Sequence, residues 1–372
     1  MLHAIYDPNN WAGVPFHFWS VVFFVLGCIV GSFLNVCIYR MPRGESIVSP
    51  PSHCPHCRYA IPWYLNIPLV TWLWLRGRCR NCGAPIAPRY FLVELLTGLT
   101  FLSSWLAFGR GSAALALVYC VFLGGLIVAT FIDFEHFIIP DEITLGGVMS
   151  GVLFSFLLPR LQGRTTMTDS VLNSLLGAGV GAGVVYLVLR MGKWLFGRHR
   201  LPMPPGSKVI FTETDLHLPD RVVPYEELFY RKSDTVVVLA QTVELADRCY
   251  REVEVRLTPE CLRIGDEEMN PEEVPHMEVV SGEIVLPREA MGLGDVKFMA
   301  GIGAFLGWQA VIFSLMVSSM IGAVIGVLLI VLRRREWSSR IPYGPYIALA
   351  AVIWIFWGPR ILEAFFGGLN RG

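Results

Sequence analysis

The sequence predicts an all-α polytopic membrane protein of about eight transmembrane helices, interrupted by a small cysteine-bearing loop and by a mixed or β-rich insertion. Three observations predict it. Of 372 residues, 54% are hydrophobic and 16% charged, more apolar surface than a water-soluble chain of this length can hide. Apolar runs fall near 18–39, 91–108, 112–132, 142–158, 171–190, 297–307, 309–332 and 345–366. Two polar stretches, 40–90 and 191–288, separate them. The formal net charge is zero, so nucleic acid has no electrostatic footprint here and the lipid bilayer is the expected partner.

The N-terminal residues 1–17 contain no Lys or Arg, and 18–39 is too long for the apolar core of a signal peptide. It is expected to be an uncleaved first span. The segment 40–90 carries Arg40, Arg43, Arg58, Arg76, Arg78, Arg80 and Arg89 against Glu45 alone, and Arg333, Arg334, Arg335 and Arg340 follow the seventh run. By the positive-inside rule both face the cytoplasm, against only Arg160 and Arg164 on the other side. The chain then divides into a periplasmic 1–17, a first span at 18–39, a cytoplasmic loop domain at 40–90 and spans two to five over 91–190. A cytoplasmic insertion at 191–288 and a last segment, 289–372, with spans six to eight complete it. The sixth run is too short to count from hydropathy alone.

Within the insertion, Val236 to Leu239 and the alternating Val253, Val255 and Leu257 read as short strands after an opening marked by Pro202, Pro204 and Pro205. Acidic clusters such as Asp266-Glu267-Glu268 accompany them. A disordered tether is the competing reading, and the branched apolar content argues against it. The glycine-rich run 177–183 lies inside an apolar span with no strand before it. Close helix packing through small residues explains it better than a phosphate-binding loop.

Cys54-Pro-His-Cys57 and Cys79-Arg-Asn-Cys82 form two C-x-x-C pairs with 21 residues between them, just past the usual zinc-ribbon range of about 15 to 20. Each pair can turn two thiolates to one side, and two pairs complete a tetrahedron around Zn²⁺. Arg58, Arg78 and Arg80 would favour thiolate over thiol. A pair of disulfides fits the same spacing, and a reducing cytoplasm disfavours it. Such a site is closed and therefore structural. His53 and His56 are alternative ligands or surface residues, and Cys28, Cys37 and Cys120 read as small core residues.

Charged groups at a membrane edge are costly and hence functional suspects. Asp133 ends one apolar run, and Asp295, after Gly292 and Gly294, precedes another. Both fall at cytoplasmic helix ends and could meet across a bundle, where two carboxylates sharing a proton can hydrolyse an amide. Helix capping fits equally well for Asp295, and it is the better reading of Asp141, which follows Pro140 and starts a helix. A metal set of Glu135, His136 and Asp141 is conceivable, although no H-E-x-x-H is present. No G-x-S-x-G supports serine hydrolysis.

Taken in order, Gly31-Ser-Phe-Leu-Asn-Val-Cys-Ile-Tyr-Arg-Met-Pro42, the two cysteine pairs, Arg89-Tyr90 with Val93-Glu94 and Thr97-Gly98, Asp133 with Ile139-Pro140-Asp141, Glu289-Ala-Met-Gly-Leu-Gly-Asp-Val-Lys297, and Ile341-Pro-Tyr-Gly-Pro345 resemble the type IV prepilin peptidases. These are the bacterial branch of the GxGD membrane aspartyl proteases. The resemblance implies a multi-pass protein of the bacterial inner membrane with its active site facing the cytoplasm. It implies catalysis by Asp133 and Asp295, with Gly292, Gly294, Lys297 and Asp141 supporting, and zinc on Cys54, Cys57, Cys79 and Cys82. Its substrates would be prepilins or type II secretion pseudopilins with basic leaders, cut beside the glycine that ends the leader. Methylation of the new amino terminus from S-adenosylmethionine is implied by the resemblance alone. The stretch 191–288 departs from the family in length. Two other classes remain: a GxGD protease cutting within other membrane segments, and a non-enzymatic zinc-containing assembly or transport protein, which would not need the two aspartates.

Overall fold

A computed structural model describes residues 15–196, 198–220, 222–229, 234–245, 247–287, 292–332 and 342–366. Most of the expected periplasmic N-terminus, the arginines at 333–340, Glu289 to Met291 and Ile341 lie outside the described residues. The helices are α1 Phe16–Arg40, α2 Val70–Trp74, α3 Pro88–Phe108, α4 Ala113–His136, α5 Asp141–Leu157, α6 Met167–Phe196, α7 Tyr225–Leu228, α8 Leu293–Leu306, α9 Trp308–Val331 and α10 Gly344–Phe366. Two compact units result, one formed by 1–186 with 292–372 and the other by 187–291.

In the first unit each of the eight expected apolar runs is a helix. Among the described residues, five of these, α1, α3, α4, α6 and α9, are long and apolar enough to cross a membrane, which makes this a multi-pass membrane protein. The count of eight crossings does not follow from length. With 17 residues in α5 and 14 in α8, at ~1.5 Å per residue both fall short of a ~30 Å hydrocarbon core. Helix ends follow local chemistry. The Ser112 hydroxyl takes the Leu115 N–H at 3.2 Å to cap α4, and Phe137, at φ 56°, ends that helix by returning its N–H to the Asp133 carbonyl at 3.0 Å.

Small residues set the helix spacing. A Cβ on Gly31 would lie 2.7 Å from Glu94 Cα and one on Gly27 2.7 Å from the Thr97 carbonyl oxygen, so α1 and α3 touch backbone to backbone. Gly177 faces the Gly303 carbonyl in the same way, and Gly181 that of Met299, which bears out packing as the reason for the glycine run and presses α6 onto α8. Cys28, Cys37 and Cys120 are buried.

The second unit is one eight-stranded antiparallel sheet, so the chain is not helical throughout. Its strands are β1 Arg198–Thr212, β2 Asp215–His217, β3 Val222–Pro224, β4 Val236–Glu244, β5 Cys249–Leu257, β6 Leu262–Ile264, β7 Glu267–Met269 and β8 His276–Pro287, in the order β3-β2-β1-β8-β4-β5-β6-β7. Both strands read from the sequence are present as β4 and β5. The long central pair β1 and β8 is not announced by pattern, because the register slips at the prolines between Pro202 and Ser207. Val209, Phe211, Val238, Val255, Ile264, Val279 and Ile284 form its buried core. Helix α6 runs on to Phe196, and the first strand follows at Arg198.

Candidate active site

Asp133 occupies the last turn of α4 and is buried, and its Oδ2 accepts the Gly344 N–H at 2.8 Å. Asp295 lies in the first turn of α8, and its Oδ2 accepts the Gly292 N–H at 3.2 Å. Gly292 has no side chain with which to complete a reciprocal capping box, so Asp295 caps with one oxygen and leaves the other unengaged by that contact. Ile139 marks where the segments converge: a Cβ on Gly294 would lie 3.5 Å from its Cβ, and one on Gly344 3.1 Å from its Cδ1. Arranged so, each acid has one oxygen fixed by a main-chain donor, which orients the carboxylates before any substrate arrives.

Asp141 is not a cap. It is the first residue of α5, after an N-cap Pro140 with no side-chain cap bond, and both its oxygens take Lys297 Nζ, at 2.7 and 2.9 Å. A pair this exposed contributes up to about 1 kcal/mol, but it fixes the start of α5 to the helix that carries Asp295. The conceivable metal set dissolves: Glu135 pairs with Arg89 and Asp141 with Lys297.

The four cysteine Sγ atoms lie within 4.8 Å of one another, with Cys54 to Cys82 at 3.9 Å and Cys57 to Cys79 at 4.0 Å. A tetrahedron with ~2.3 Å Zn–S bonds has sulfur edges of about 3.8 Å, so the cluster fits a metal ion, and the thiols are free. Both knuckles are built alike. Cys54 N–H bonds the Tyr59 carbonyl at 3.0 Å and Cys79 N–H that of Ala84 at 2.8 Å, and the residues after the second cysteines, Arg58 and Gly83, have φ of 55° and 71°. The Cys57 thiol is drawn down to about 6 by the Tyr59 N–H and then by the Asn81 amide. The Cys79 thiol is lowered by the N–H groups of Cys82 and Asn81. At Cys57 and Cys79 these donors, rather than the arginines, favour the thiolate. Against the pull of the Ala84 N–H, burial and the neighbouring thiols push the Cys82 thiol up to about 11. His53 and His56 stay outside the cluster.

The model of the bacterial peptidase A24 N-terminal domain matches 25–108, and that of the type IV leader peptidase family matches 120–199 and 278–327. The prepilin leader peptidase/N-methyltransferase of Aeromonas hydrophila is 30% identical over 373 residues, covering 94% of each chain. The chain belongs to the type IV prepilin leader peptidase family. Proteins of the same name from Myxococcus xanthus (32% identical, 84% of this chain and 63% of that one) and Pseudomonas aeruginosa (26%, 92% and 91%) are further relatives. No solved structure matches significantly. The family model ends at 199, two residues into β1, and resumes at 278 in β8, but the Aeromonas hydrophila relative aligns over 94% of both chains. The expected departure in length at 191–288 therefore does not set this chain apart from that relative.

Sequence reasoning named Asp133, Asp295, Gly292 and Gly294, and the structure brings them together. It missed Gly344. A Cβ there would lie 2.8 Å from Asp133 Oδ2, so only glycine lets the main-chain N–H reach the carboxylate. Tyr343 holds it in place, its hydroxyl sharing hydrogen bonds with Ser318 at 2.8 Å and Ser319 at 2.9 Å on α9. The signal was present in Pro342-Tyr-Gly-Pro345, without anything in the sequence to say which aspartate it served.

Proposed function

We propose that this chain is the endopeptidase that removes the basic leader from type IV prepilins or type II secretion pseudopilins, with Asp133 and Asp295 as its catalytic pair. The observation that carries the reading is the convergence of two carboxylates, each with one oxygen anchored by a glycine N–H. In this mechanism one carboxylate is ionised and the other protonated. The ionised one takes a proton from water as the new C–O bond forms at the scissile carbonyl. The protonated one gives its proton to the departing nitrogen as the C–N bond breaks. The products are the leader carboxylate and a free amino terminus, and proton exchange with water resets the pair, which titrates as a unit. The arginine-rich 40–90 segment supports a cytoplasmic active site in the bacterial inner membrane. That is the side on which a basic leader would be retained.

Zinc on Cys54, Cys57, Cys79 and Cys82 would knit the loop together, with no part in hydrolysis. The relatives' shared name also includes an N-methyltransferase. S-adenosylmethionine is the expected donor. An open groove between α4, α5 and α8 is lined mostly by apolar groups such as Phe122, Leu126 and Phe305, with Glu142, Thr144 and Ser150 as polar exceptions. So few polar groups do not fit the ribose hydroxyls and charges of such a nucleoside. The test is to incubate the purified protein with a prepilin-type substrate and weigh the product. Loss of the leader mass supports the peptidase, a further methyl mass supports the second activity, and an uncut substrate refutes the reading.

A further inference from the structure

The short helix α2 shows its apolar side outward. Thr71 is buried and Trp72 half-buried, Trp72 packing on Gly77 and on Phe91, with ring centroids 5.2 Å apart. Val70, Leu73 and Trp74, which helical spacing puts on one face, are exposed, Trp74 by 69%. The loop leading in adds Trp63, 82% exposed, with Tyr64 and Ile67. Six large apolar side chains exposed within twelve residues are not what a water-facing loop keeps.

Two contacts fix the height of this surface. The Leu69 N–H donates to Glu94 Oε2 at 2.7 Å, and Trp72 meets Phe91. Both partners are in the first two turns of α3, a helix long and apolar enough to cross the membrane. Leu92, Leu96 and Leu99, exposed along that same helix, begin one residue beyond Phe91. The exposed face of α2 is therefore held where a span enters the bilayer, next to that span's own lipid-facing side chains. Its charge matches such a place: Arg76 and Arg78 follow directly, and 40–90 holds seven arginines against one acidic residue.

We propose that α2, with Trp63 and Tyr64, lies in the interface of the bilayer that the spans cross. Its apolar face is set at the boundary of headgroups and acyl chains, with Arg76 and Arg78 among the phosphates. Aromatic rings and apolar side chains backed by arginine suit that boundary, and anionic headgroups complement the loop's charge. The cysteine cluster, whose knuckles flank this segment on both sides, is then tethered to the membrane surface. The inference stands apart from the aspartate chemistry.

Tryptophan emission tests it on the full-length chain in vesicles of phosphatidylcholine and phosphatidylglycerol brominated at a shallow acyl position. The signal is the difference between wild type and Trp63→Phe/Trp74→Phe. If the double variant does not fold, as judged by circular dichroism, each single variant is read alone. The proposal expects the brominated lipid to remove about half or more of that difference emission, matching insertion of ~5–10 Å, and aqueous iodide to leave it intact. Difference emission quenched by iodide and untouched by the brominated lipid overturns it. So does difference emission that iodide quenches until a substrate protein is added, which would make this face a protein-docking surface.

Discussion

Replacing Gly344 with alanine probes the anchoring of Asp133 with one methyl group. That methyl would stand 2.8 Å from Asp133 Oδ2, where ordinary contact begins at 3.4 Å. The carboxylate must retreat by about 0.6 Å, which stretches its bond from the Gly344 N–H past the ~3.2 Å limit of a good hydrogen bond. Hydrogen bonds to charged groups contribute about 1.5–3 kcal/mol, and at ~1.4 kcal/mol per tenfold the expected loss in kcat is roughly 10- to 100-fold. KM should hold, since the methyl displaces a reacting group rather than a binding surface. The lost bond also lowers folding stability, offset in part by alanine's helix preference of up to ~1 kcal/mol over glycine, so the melt should fall only modestly. Gly179→Ala in α6, where an added Cβ meets nothing within 4 Å, is the matched control. The assay is the initial rate of leader removal followed by mass, alongside a thermal melt. A Gly344→Ala protein that cleaves within about twofold of wild type would falsify the anchoring argument.

Four further outcomes follow from the same geometry. Cys57→Ser/Cys82→Ser should lose about one zinc per chain by elemental analysis, and its melting temperature should drop before its kcat does; unchanged zinc content would refute the cluster. Gly177→Ala should drive a methyl into the Gly303 carbonyl and cost about 1–3 kcal/mol, read as an earlier melt, with an unshifted melt counting against close contact of α6 and α8. Asp141→Asn, which weakens an exposed pair with Lys297, should lower kcat only a few-fold, on the order of 1 kcal/mol; a loss as deep as that of the buried aspartate would move Asp141 into the chemistry. Replacing 200–286 with a Gly/Ser linker should raise KM and reduce its salt sensitivity while kcat is kept. Glu267 and Glu268 are already paired with Arg248 and Arg263, so the steering is modest, and identical KM and salt response would exclude it.

What the sequence revealed, and what it hid, follows from how local each determinant is. Apolar runs announce helices because burial in lipid demands them, and Asp133 stood out as a charge at the end of one. The start of α8 was set too late, at 297, because Gly294 and Asp295 look like loop and are in fact its first turn. Asp141 was misread as a cap because its partner, Lys297, is 156 residues away. Gly344 stood in a recognised motif without a visible role, since a glycine beside a proline reads as a helix start and its partner is a carboxylate 211 residues earlier. In the sheet, β4 and β5 alternate cleanly, whereas the prolines of β1 mimic a linker.

The most direct measurement of the central claim is leader removal by Asp133→Asn and Asp295→Asn, each purified at normal expression with a wild-type melt. Asparagine keeps the shape and can neither take the proton from water nor lend one to the leaving nitrogen. Both variants should therefore leave the substrate at its uncut mass, with rates down by at least about 100-fold. Cleavage by either variant at close to the wild-type rate would contradict the account.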